Sequence, residues 1–140
     1  MQRKTAKKKE MIDKVAYWLD IVDYDLETAK AMFTTKRWLY VGFMCHQVIE
    51  KVLKAYWCAK QPNDPPYTHN LLTLATGSGL SVDLTNEQKL FIQEMMPLNI
   101  EARYPEYKES LLKRLTPEYC EKVLNNTNTF YLWIKNKLLK

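Results

Sequence analysis

Five polar side chains stand inside an otherwise apolar run: His46, Gln47, Glu50, Lys51 and Lys54 in "GFMCHQVIEKVLKAYWCAK". On an α-helix each residue advances about 100°. With Gln47 at zero, Lys51 falls at about 40°, Lys54 at about 340°, Glu50 at about 300° and His46 at about 260°. One strip therefore presents an imidazole, an amide, a carboxylate and two amines. Two readings are open. His46 and Glu50 would form an acid–base pair, because a carboxylate orients an imidazole and raises its basicity. Alternatively, the strip is a solvated face with i,i+4 pairs, each worth about 0.2–0.5 kcal/mol. Lys51 and Lys54 suit the solvated reading, and Gln47, flanked by large apolar residues, suits it less well.

Two further features bear on chemistry. His69 follows Thr68 in "YTHNLLTLATGSG", where it would be an ordinary residue at a helix start. Arg103-Tyr104-Pro105 places a guanidinium beside an aromatic ring just before a proline break. That pair would hold a phosphate or stack on a base, or the arginine would close a helix end through its carbonyls. The standard signatures of other chemistries are absent: there is no G-x-S-x-G, H-E-x-x-H, P-loop or G-x-G-x-x-G. Cys45, Cys58 and Cys120 form no C-x-x-C pair, and no Cys/His spacing resembles a zinc site. Neither a metal nor a cofactor is expected. The three thiols read as small buried groups in a reducing compartment.

These candidates must be positioned by helices. The chain has 140 residues, 46% hydrophobic and 26% charged, with only 3 Gly, and long periodic segments dominate it. The fold class expected is all-α: one domain over residues 1–140, an up-and-down bundle of about five helices, three of them long. The first would run from about Lys9 to Thr34, with Val15, Trp18, Val22, Leu26 and Ala29 on its inner face and Asp25 close to that stripe. The second would cover about Lys36 to Lys60 and end at "QPNDPP". Thr68 would cap a short helix with Leu71, Leu72, Leu74 and Ala75 inward. Thr85 would cap a fourth, from about Asn86 to Ile100, with Leu90, Phe91, Met95 and Leu98 inward and a kink at Pro97. "EARYPEYKESLLKRL" is less regular and interrupted by Pro105. Thr116-Pro117 starts the last helix, which runs to about Leu139.

The charge is uneven. The first ten residues, MQRKTAKKKE, carry a net +4 of the chain's +5, leaving +1 for the remainder. Such a basic tail, residues 1–9, would touch nucleic acid through counterion release, or be a frayed, solvated helix start. No apolar run approaches the roughly 18 residues of a membrane span, and none near the N-terminus resembles a signal peptide. The expected location is cytoplasmic, away from membranes.

"DLETAKAM", "RWLYVGFMCHQVIEKVLKAY", "YTHNLLTLA" and "ARYPEY", in that order from Asp25 to Tyr107, resemble the HEPN domain. The resemblance implies a helical bundle that often dimerises through its long helices and associates with nucleotides or RNA. Many relatives act with a small nucleotidyltransferase encoded beside them. The positions that match the family signature are Gln47, Glu50, Lys51 and Lys54, His69, and Arg103 with Tyr104. If these positions bind a ligand, Lys51, Lys54 and Arg103 would contact phosphate as point charges or a fork, Tyr104 would stack, and Gln47 and Glu50 would position them. Some HEPN proteins are metal-independent endoribonucleases with a histidine four to six residues after an arginine. Here no histidine follows Arg103, and His46 lies nine residues after Arg37. The expectation is therefore a non-catalytic domain that binds a nucleotide, RNA or a nucleotidyltransferase. One alternative is an endoribonuclease toxin of a toxin–antitoxin pair, with His46 or His69 as base, Glu50 as its partner and Arg103 as charge stabiliser. The other is a homodimeric assembly module without a ligand.

Overall fold

The computed structural model of the chain describes residues 2–99 and 105–139. Among these are six α-helices and no strand: α1 (Gln2–Thr34), α2 (Trp38–Lys60), α3 (Leu71–Gly77), α4 (Asn86–Met95), α5 (Pro105–Arg114) and α6 (Pro117–Leu138). Single 3₁₀ turns occupy Leu80–Asp83 and Met96–Leu98. The helices form an up-and-down bundle with α2 at its centre, packed against all five others. Its composition explains that place. Two apolar rows, one through Val41, Cys45, Val48 and Val52 and one through Ile49 and Leu53, leave no wide polar side, so the helix must be covered on several faces. Fourteen of its 23 residues are buried. From α1, Val22, Leu26 and Ala29 close one side of the core; Val123, Phe130 and Ile134 of α6 close another.

Local chemistry sets the helix ends. Thr85 and Gln88 form a reciprocal capping box at the start of α4. The Thr116 hydroxyl accepts from Tyr119 N, with Pro117 in the first turn of α6. Between α1 and α2 the chain reverses through Lys36, whose φ of 62° lies in the left-handed region. There Arg37 N donates to Met32 O and Lys36 N to Phe33 O, satisfying carbonyls of the last turn of α1. At the end of α3, Gly77 lies against a ring of α2: a Cβ added there would stand 2.3 Å from Trp57 Cζ3.

The structure departs from the sequence expectations at several elements. α1 begins at Gln2, so the basic segment is the helix's own first turns rather than a tail ahead of it. The sixth helix, α5, lies in the stretch that looked irregular. Pro105 starts that helix instead of breaking one, since a first-turn proline lacks only an N–H that would have no partner anyway. Leu111 and Leu115, four residues apart, then reach the core. α4 ends at Met95 and gives way to a 3₁₀ turn at Pro97, short of Ile100. Asn70, not Thr68, caps α3, and the Thr68 hydroxyl accepts from Asn70 N within the preceding loop. Leu72 and Leu90, expected inward, are exposed, and Ile92 fills the inner position on α4.

Candidate functional site

The polar strip of α2 is not a solvated face. α1 and the loop Gln61–Asn70 cover it, and His46, Glu50 and Lys54 are buried, at 0%, 2% and 8% relative exposure. The periodicity gave the angles correctly; the neighbours that cover the strip come from elsewhere in the chain.

Glu50 is the hub. Its Oε2 accepts from Lys54 Nζ at 3.1 Å, one helical turn on. Its Oε1 lies 2.9 Å from His69 Nδ1, which the loop brings across nineteen residues. A carboxylate accepts, so Nδ1 carries the shared proton and Nε2 is the basic nitrogen of that tautomer. His46 Nδ1 stands 3.9 Å from the same Oε1, beyond hydrogen-bond range. The Lys54 ammonium also sits 5.5 Å from the ring centroid of Trp18 on α1, a cation–π contact in a desolvated setting. Next to this cluster, Lys51 Nζ donates to Asp25 Oδ2 of α1 at 2.5 Å, and Asp25 is itself buried. Gln47 is half-buried on the same side of α2.

Two carboxylates, Asp25 and Glu50, are thus matched by two ammonium groups, Lys51 and Lys54. A phosphate approaching either lysine would compete with a carboxylate already in place. Removing one partner of such a pair leaves a buried charge alone, which costs several kcal/mol; the pair itself contributes far less net stability than that. The arrangement therefore fixes geometry: it ties α1, α2 and the loop to one another. The loop has two more anchors, Trp57 Nε1 donating to Asn63 O at 3.0 Å and Asp64 paired with Lys14 of α1 at 2.6 Å. His69 is where the cluster reaches solvent, with its side chain 55% exposed.

The structure brings together Gln47, Glu50, Lys51, Lys54, His46 and His69. Arg103 and Tyr104 lie outside the described residues. Later in the sequence, the Tyr107 hydroxyl donates to Pro97 O at 2.9 Å. Asp25 and Trp18 were not among the sequence candidates. For Asp25 the signal was present, a carboxylate beside the apolar stripe of α1; for Trp18 there was none, because an aromatic on a core face reads as packing. Among the described residues, no group of three or more His, Cys, Asp or Glu could hold a metal ion. The three thiols are free and buried. Burial pushes Cys45 up to about 12 and Cys120 up to about 11, far from nucleophilic use. No helix among the described residues is long and apolar enough to cross a membrane.

The family model described as "HEPN domain" matches residues 15–137. No curated protein and no solved structure matches the chain. With most of the chain matched, the protein belongs to the HEPN domain family.

Proposed function

We propose, from HEPN membership as the premise, that the protein is a non-catalytic module that binds a nucleotide or RNA, or docks a small nucleotidyltransferase, and does so as a homodimer. The observation that supports a binding role is the Glu50 cluster. Its charges are mutually satisfied, and of the two side chains hydrogen-bonded to Glu50, Lys54 is buried and His69 reaches solvent. Such a cluster holds a surface in shape. In this reading Gln47, Glu50, Lys51 and Lys54 position the site, while Tyr104 stacks on a base and Arg103 supplies the guanidinium fork for phosphate. Titration of nucleotides and of single-stranded RNA tests it. Arg103→Ala is expected to weaken binding about tenfold or more with unchanged thermal stability; the loss of one charge-assisted contact has that size. Unchanged affinity in both Arg103→Ala and Tyr104→Ala would refute the assignment.

A second reading has one observation in its favour. His69 is an exposed imidazole oriented by a buried carboxylate, the geometry of a general base. His46, fully buried, cannot meet a 2′-hydroxyl. If the protein is a metal-independent endoribonuclease, His69 is its base. Cleavage of a mixed RNA pool in chelator, abolished by His69→Ala, would establish this; an intact pool after incubation with verified dimer would remove it.

A further inference from the structure

The first two turns of α1 lie at the surface, with Lys7 and Glu10 beside the loop that follows α2. Residues 3–10 are all exposed, and they precede residue 15, where the family match begins. Five of the eight are Arg3, Lys4, Lys7, Lys8 and Lys9. The one acid, Glu10, turns to Lys14 at 3.2 Å, and Lys14 is shared with Asp64 of the loop. Among the described residues, none of the five cations is in an ion pair. On the helix Arg3, Lys7, Lys4 and Lys8 fall within an arc of about 140°, so one side of the helix is cationic.

We infer that this arm is a docking surface for a nucleic-acid phosphate backbone, taken as RNA on the strength of the function proposed above, separate from the Glu50 cluster and additional to what the family match covers. Three features select that partner. The charge is high and uncompensated, which favours a polyanion through counterion release. Between Arg3 and Glu10 the only apolar side chain is Ala6, so the arm has no face to sink into a bilayer as an interfacial helix does. It also has no aromatic residue on which a base could stack, so the contact is to backbone and indifferent to sequence. The cations are presented on a preformed helix, so less ordering is required on binding than for an unstructured tail.

The test is the salt dependence of binding to a mixed-sequence single-stranded RNA, with wild type compared with a Lys4→Gln/Lys7→Gln/Lys8→Gln variant. Glutamine keeps the helix, which circular dichroism verifies. Each phosphate contact adds about −0.7 to the slope of log K against log salt, so the variant's slope should be shallower by about 2. A fourfold rise in salt should then weaken wild type roughly twentyfold more than the variant. Equal slopes, or no binding by wild type at low salt, overturn the proposal. So does a loss of affinity for anionic vesicles or polyglutamate as large as that for RNA. The experiment is separable from the site reading: a mononucleotide titration reports on Arg103 and Tyr104 and should be indifferent to the arm variant.

Discussion

Lysine occupies two opposite situations in this molecule. In the middle of α2, Lys51 and Lys54 are enclosed, each facing a carboxylate, and Lys54 lies over an indole as well. At the start of α1, Lys4, Lys7, Lys8 and Lys9 stand in solvent. The same ammonium group serves to fix geometry in the first place and to attract charge in the second. Burial decides which. Inside, losing the partner costs desolvation that nothing recovers; outside, water and salt screen the charge, so its removal hardly touches stability and shows only when a polyanion arrives.

The sharpest measure of that contrast is thiol reactivity. Cys45 lies on α2 one residue from His46, and burial raises its pKa from the ordinary 9.0 to about 12. With Thr5→Cys as an exposed reference on the arm, alkylation near pH 8 followed by peptide mapping should show Cys45 reacting about a thousandfold more slowly. Comparable rates would mean that the interior of α2 is open to water. Next in size is Glu50→Gln, which strands Lys54 and should lower unfolding free energy by about 3 kcal/mol in urea. Replacing both partners, Glu50→Leu with Lys54→Met, should recover much of that loss, because no lone charge remains. If the double variant is worse than the single, the cluster is more than a matched pair. His69→Ala, at the solvent edge, should cost about 1 kcal/mol, the value of one hydrogen bond. The triple glutamine variant of the arm should change stability by no more than about 0.5 kcal/mol. A larger loss would show that the arm packs against something.

The bundle was legible because hydrophobic period is a local property. The rows of α2, the caps at Thr85 and Thr116, and the inner face of α1 follow from neighbours within a turn or two. Thr68 was a cap by type, yet Asn70, two residues on, has its side chain on Thr73 N and takes that role. Pro105 reads as an interruption because proline both ends and begins helices, and the difference lies in which residues follow. The polar strip shows the deeper limit. Spacing places His46, Glu50 and Lys54 on one side of a helix but says nothing of what covers that side. Asp25 arrives from twenty-six residues away and His69 from nineteen. Only tertiary packing turns a face that looks wet into a closed cluster, and it is also what leaves the basic turns of α1 exposed.

The loop Gln61–Asn70 carries one more implication. It is fastened at Asn63, Asp64 and His69, while Tyr67 between the last two stands fully in solvent. It is also the covalent bridge between the α1–α2 hairpin and the four helices that follow. A single cut at Tyr67 would separate the sequence into two pieces without disturbing any of those anchors. Each piece would expose one side of the core alone, so the halves have reason to find each other again. Expressing residues 1–67 and 68–140 as separate chains should restore one folded domain when they are mixed.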